Sequence, residues 1–369
     1  MLGLAECSSN GGYQAPSLSL CGPAAPIGGP LGEPGRQNEP CPSSVTTPAP
    51  TLGNALHPAV RRIVTDALAR GIGSTLPTNA YYLREHGIRA GTIQRALQLL
   101  QEWDALQISS HGHRGRTISA INVGQAWQAA GLSPVRLLLL PSGAAEIDVL
   151  EDALAQGLTD LGIPHTVHHR RGGPRRLDSV AAGEHDIALT SAGVSLDTAG
   201  NQSAREAAVA VREAPLTRAL PPGTYYASGR LVVVRRTADL AADPRRVAID
   251  SQSPDHVTLP KAEFPETAGM TYVETSFPRV PAAVLRGDVD AGIWHQQRSI
   301  IPLDLAGLTT HRLGEAATID AWQHLSPAVL VGWAGRPELA AVLASLPLAG
   351  VEAKQHEALR NDSNRDDEV

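Results

Sequence analysis

The chain predicts an α/β protein in two folded parts: a small unit of three helices and a hairpin, then a larger two-lobed α/β unit. Three observations carry this. From Val135 onward, short apolar runs bounded by Gly or Pro alternate with stretches of helical period, as in strands and helices layered around mostly parallel sheets. Between His57 and Asn122 the helical period recurs three times and then gives way to two strands with HGHRG between them. A length of 369 residues also exceeds one ordinary domain.

Taken in order, residues 1–53 are rich in Pro, Gly and Ser and poor in large apolar side chains. They are expected to form a disordered leader, unable to offset the entropy of ordering itself. A start codon placed too far upstream explains them equally well. The first folded unit is expected over 54–123. Val60, Ile63, Val64, Ala67 and Leu68 recur at helical spacing, with Pro58 in the first turn and Gly71 and Gly73 as the stop. Thr78 caps a second helix that carries Leu83 inward and ends at Gly87, and Ile88 fills the turn. The third helix puts Ile93, Leu97 and Leu100 on one face and Gln94, Arg95 and Gln98 on others. Leu106–Ile108 and Thr117–Ile121 read as strands.

A linker is expected over 124–133, the two-lobed unit over 134–350 and a disordered acidic tail over 351–369. Val135–Leu140 (VRLLLL) is an apolar run broken only by Arg136 and bounded by two prolines, suiting a buried parallel strand, and Ile147–Leu161 reads as a helix. Thr166–His169, Asp186–Thr190, Leu231–Arg235, Val247–Asp250, Thr271–Val273 and Val329–Trp333 are further expected strands.

Composition narrows the function. Net charge is -6, yet residues 57–122 hold eight Arg against two Asp and two Glu, a local excess of four positive charges. That is what a phosphate-facing surface requires. Cys7, Cys21 and Cys41 all lie in the first 41 residues without a CxxC pair, so a disulfide scaffold is not expected. No apolar run approaches the roughly 20 residues of a membrane span, and the N-terminus lacks the pattern of a secretory signal. A cytoplasmic protein with no membrane partner and no cofactor is expected.

The small unit has the layout of a winged helix-turn-helix, a module that lays one helix in the major groove of duplex DNA. Candidate DNA contacts are Thr78, Arg89, Thr92, Gln94 and Arg95 on the helices and His111, His113, Arg114 and Arg116 on the wing. Arg reads guanine and Gln reads adenine through paired hydrogen bonds, while wing residues grip phosphates or enter the minor groove. The bland alternative is a set of solvated polar residues on a small helical domain. Zinc held by His111-x-His113 is a second alternative, but no Cys, Asp or Glu lies close in sequence. No metal site is expected.

With these residues in view, Ser74–Ile118 resembles the DNA-binding domain of GntR-type regulators. Leu76-Pro77, Gly87-Ile88, Thr92-Ile93, Ala96-Leu97, Leu100 and His111-Gly112 stand at the matching places. Over roughly residues 54–350 the chain is similar to GntR-like regulators of the YhfZ type. It departs from the pattern at Ala80, where an Arg often contacts DNA, and at Gln94, which takes the place of an Arg. The operator sequence is therefore not carried over.

In open α/β sheets, ligands lie beyond the carboxyl ends of strands, where helix N-termini offer free N–H groups. Expected strand ends here carry Ser142, Thr190, Ser191, Ser251, Ser253 and Ser276, and Trp294 and His295 follow another apolar run. Each hydroxyl alone is an ordinary turn residue, and Trp294 fits a core as well as a stacking face. Together they suggest a cleft for a small polar or anionic effector. GEHDIALTS (183–191) and LRGDVDAGIWH (285–295) resemble the Gly-x-Asp-apolar signatures of type II periplasmic-binding-protein domains, one per lobe. That resemblance implies two lobes joined by a double crossover.

Arg170, Arg171, Arg175 and Arg176 fall within seven residues, read as a solvated loop or a contact to DNA or a partner subunit. P-loop, dinucleotide fingerprint, Ser-His-Asp and HExxH patterns are absent. The combined expectation is a homodimeric transcription regulator that binds operator DNA and a small effector and is not an enzyme. The alternative is an enzyme on the same two-lobed fold, with Asp186, Asp250, Glu274 and His295 as its available acid–base groups.

Overall fold

The computed structural model describes residues 56–110, 115–195, 216–266, 269–297 and 302–366. The expected leader lies outside the described residues, as do His111, His113 and Arg114 at the wing tip.

The first helix, α1 (Leu56–Arg70), buries Ala59, Val60, Ile63, Val64, Ala67 and Leu68 along one stripe. In α2 (Asn79–His86) the Thr78 hydroxyl accepts the Tyr81 N–H at 3.2 Å, and Gly87 closes the helix at φ 66°, a left-handed conformation that glycine takes without penalty. Leu83 does not point inward as expected: it is 54% exposed, and Tyr82 is buried in its stead. One position on a helix rotates a side chain by about 100°, and eight residues are too few for periodicity to settle the phase. In α3 (Ala90–Glu102), Ile93, Ala96, Leu97, Leu99 and Leu100 are buried. The strands β1 (Leu106–Ser110) and β2 (Arg116–Ile121) pair antiparallel with a register shift at Gln107/Ile108.

Residues 124–133, expected as a linker, are not loose. They contain most of α4 (Val123–Ala129), capped by Asn122, with Trp127 only 1% exposed. A Cβ at Gly124 would meet the Leu161 carbonyl oxygen at 1.7 Å, so the helix seats there only with glycine. One continuous core holds Ile63, Ile93, Trp127, Leu137 and Leu150, joining the small unit to the larger one.

The larger unit begins with β3 (Val135–Leu139), α5 (Ala145–Asp160), β4 (His165–His169), α6 (Gly173–Ala181), β5 (Ile187–Ser191) and β6 (Leu216–Ala219). The chain then crosses over through β7 (Leu231–Arg236), β8 (Arg246–Ile249), α7 (Asp255–Glu263), β9 (Thr271–Glu274), α8 (Val280–Arg286), β10 (Ala291–His295), β11 (Leu308–Arg312) and α9 (Ala316–Leu325). It returns through β12 (Ala328–Gly332), α10 (Leu339–Ser345) and α11 (Val351–Asp366).

Two five-stranded sheets result, ordered β4-β3-β5-β12-β6 and β11-β7-β10-β8-β9. Each has the same plan: one antiparallel strand sits fourth from one edge, and the others run parallel to one another. The exceptional strands are β7 and β12, the two that enter a sheet directly from the opposite lobe. This is a mixed α/β architecture of two lobes joined by a double crossover. Among the described residues no helix is long and apolar enough to cross a membrane.

The tail expected to be disordered over 351–369 is helical through Asp366. Val351 and Gln355 are buried where α11 packs on α5. Its polar composition reflects a helix with one narrow inward stripe.

Candidate functional site

On the small unit, the outer face of α3 is built by exclusion. Its apolar residues are spent on the core, leaving Gly91, Gln94, Arg95 and Gln98 exposed at i, i+3, i+4 and i+7. Arg89 occupies the N-cap position, exposed and without a side-chain cap bond. A Cβ at Gly91 would meet nothing within 4 Å, so this face is open. Arg95 reaches Glu102 at 3.6 Å on the surface, a weak and screened pairing. Thr78 is exposed and Thr92 half-buried. Arg116 is half-buried and donates from Nη1 to Asn79 Oδ1 at 2.9 Å, tying the hairpin to the start of α2.

The expected effector residues divide into three groups. Ser191 and His295 meet the opposite lobe. The Ser191 hydroxyl donates to Asp255 Oδ2 at 2.5 Å, and His295 Nε2 lies 2.7 Å from Glu146 Oε1. Thr190 is buried beside Ser191, and its hydroxyl has no hydrogen-bond partner among the described residues. Ser142, Ser251, Ser253 and Ser276 stay on their own lobes. Ser142 donates to Asp148 Oδ1 at 2.7 Å, Ser251 to Glu274 Oε1 at 3.0 Å, Ser253 lies in the turn before α7, and Ser276 precedes a 3-10 turn. Trp294 belongs to neither group. It is 8% exposed within the second lobe's core, against Val232, Val234 and Leu308. Alternation along β10 sends Trp294 and His295 to opposite faces, and Trp294 takes the core position that the sequence also allowed.

Several residues of the lobe junction escaped sequence reasoning. Tyr226 OH donates to the same Asp255 Oδ2 at 2.9 Å. The buried Glu146 carboxylate faces His295 from the first turn of α5. His256 stacks on Phe277 with ring centroids 3.6 Å apart. Gln355 donates to the carbonyls of Glu146 and Thr224 from α11. Glu146 and His295 stand 149 positions apart, so no local motif announces them. A carboxylate inside the apolar stretch AEIDVL was the available signal.

Electrostatics follow from burial. Desolvation alone would raise the Glu146 carboxyl, but the hydrogen bond and charge of His295 outweigh it and leave the group below its ordinary value. Burial, then the Asp255 charge, pushes the Tyr226 hydroxyl well up, so it stays a neutral donor. Burial drives the His256 imidazole down to about 3.

The arginine-rich run 170–176 is also not a simple solvated loop. Arg176 is 2% exposed on α6, donating to the Leu189 and Arg170 carbonyls and to Tyr225 OH. A second, half-buried arginine node joins the units. Arg336 donates to Glu338, to the Ser133 and Pro134 carbonyls and to Asp186, and lies 5.0 Å over the Trp127 ring. Asp186 is held by Arg136 as well, so this expected acid–base candidate is spent on structure. Among the described residues no group of three or more His, Cys, Asp or Glu could hold a metal.

A family model described as the YhfZ C-terminal domain matches residues 123–365, beginning where α4 begins. The crystal structure of YhfZ from Shigella flexneri aligns with a TM-score of 0.46 at 20% identity, covering 63% of this chain and 92% of that one. The periplasmic aliphatic sulphonate binding protein SsuA from Escherichia coli gives 0.41 at 16% identity, covering 64% and 76%. The amino acid substrate-binding protein AbpA from Streptococcus pneumoniae, bound to L-arginine, gives 0.38 at 14%, covering 62% and 93%. No curated protein matches. Because the family model spans well over half of the 369 residues, the chain belongs to the YhfZ C-terminal domain family.

Proposed function

We propose that this protein is a cytoplasmic transcription regulator. Its small unit acts as a winged helix-turn-helix on operator DNA, its two-lobed domain binds a small polar effector, and two copies act together on paired half-sites. The observation that carries this is the outer face of α3. A two-turn helix, a left-handed glycine and a second helix present Arg89, Gln94 and Arg95 outward around an open Gly91. These are the residue types that read base edges and phosphates. In this reading the protein is not an enzyme, and the pairs Ser191–Asp255 and Glu146–His295 hold the two lobes together.

Fluorescence anisotropy with duplexes from upstream of the protein's own gene tests the reading. The wild type is expected to prefer a cognate duplex over random sequence at physiological salt, with affinity falling steeply as salt rises. Replacing Arg89, Gln94 and Arg95 by alanine is expected to lower cognate affinity by at least about 10-fold, given about 1–3 kcal/mol per good base contact. Equal affinity for cognate and random duplexes would remove the basis for a regulator.

A further inference from the structure

A cavity of about 850 Å³ lies where the small unit meets the first lobe, and nothing above assigns it a role. Its two walls come from different units. α1 contributes Arg61, Arg62 and Thr65, and the β3–β4 edge contributes Arg136, Thr166 and His168. Arg136 and Thr166 are register partners, and His168 follows Thr166 on the same face two residues on. Arg336 closes one side beside Trp333, whose ring is held so closely by Gly183 and Gly335 that neither could carry a side chain.

Charge at this seam is not fully spent. Arg62 is paired with Asp66, Arg136 with Asp186, and Arg336 with Asp186 and Glu338. Arg61 is exposed and makes no hydrogen bond or ion pair among the described residues. Four guanidinium groups therefore face three carboxylates, a net excess of one positive charge. The volume lies within the range of small-molecule sites, larger than an inorganic anion needs.

We propose that this seam is a second ligand site, taking a small organic anion with a phosphate or paired carboxylates, gripped by Arg61 from α1 and Arg136 from the sheet. A ligand bound there touches the small unit and the first lobe at once, so it fixes their relative position. The site stands independently of DNA binding.

Isothermal titration with inorganic pyrophosphate and with citrate tests it, the two probes separating phosphate from carboxylate recognition. The full chain is used with Arg89, Gln94 and Arg95 replaced by alanine, so that α3 offers no competing anion site. At least one probe is expected to bind at one per chain. Arg61→Glu and Thr166→Asp, both exposed positions on opposite walls, are each expected to weaken binding 10-fold or more. Arg171→Glu, an exposed charge reversal outside the cavity, is expected to stay within 2-fold. Absence of binding by both probes overturns the proposal. So does a wall variant that binds as well as Arg171→Glu, because a bridging site requires both walls.

Discussion

His256 is 6% exposed, its ring stacked on Phe277 and edge-on to Tyr226, and its Nδ1 has no hydrogen-bond partner among the described residues. Burial, with the nearby His295 charge adding to it, lowers the imidazole from an ordinary 6.5 to about 3. The folded protein therefore keeps this ring neutral at pH values where the unfolded chain protonates it. The sign follows: its contribution is complete above about 6.5 and is lost as pH falls toward about 3, at up to about 1.4 kcal/mol per pH unit. Asp186 and Glu146 stay ionised above pH 5, since both are held below their ordinary values. Between pH 6.5 and 5 the wild type is thus expected to lose stability faster than His256→Phe, which keeps a ring and removes the proton site. Urea unfolding midpoints at half-unit intervals measure this, and parallel pH profiles for the two proteins would show that His256 does not set the slope.

α11 is the element whose role departs most from its composition. Val351 is 3% exposed and Gln355 1%, and the Gln355 amide donates to carbonyls of both α5 and the segment before the crossover. Ending the chain at Gly350 removes one buried apolar side chain and two buried hydrogen bonds, an expected loss of about 2–4 kcal/mol. Ending it after Asn361 keeps both contacts and is expected to cost under about 0.5 kcal/mol. Chemical denaturation of the two truncations separates a packed helix from a dispensable tail; equal midpoints for both would mean the helix contributes nothing. A helix of this kind is hard to see in sequence because only Val351 and Gln355 face inward in its first turns, too few for a clear period. The long apolar strands were legible for the opposite reason: Val135–Leu139, Ile187–Ser191 and Ala328–Gly332 are buried on both faces, so hydropathy alone marks them. The edge strands β6 (LTRA) and β11 (LTTHR), polar on one side, went unread. The same logic divides the candidate site. The α3 surface follows from one helical period, whereas the Glu146–His295 and Ser191–Asp255 bonds depend on crossovers that bring distant segments together.

At the scale of the whole molecule, a ligand in either lobe influences the small unit only if the seam between them transmits position rather than absorbing it. The first lobe carries α4 in the shared core, and Arg336 fastens the segment after it by donating to the Ser133 and Pro134 carbonyls while its plane covers Trp127. Planar multidentate bonding of this sort cannot be reproduced by a point charge. Removing it should loosen the seam while leaving each sheet intact, because Asp186 keeps its bonds from Arg136. Hydrogen exchange is the suitable measurement, since it resolves local opening from global unfolding. In Arg336→Ala, amide protection over residues 123–134 is expected to fall about 10- to 100-fold, that is about 1.4–2.8 kcal/mol of local stability, against small changes in β3, β5 and β12. Arg336→Lys should recover less than half of the lost protection, having one charge and no fork. If protection instead drops equally across both sheets, Arg336 serves global stability alone, and the seam is not the path by which the lobe and the small unit would be coupled.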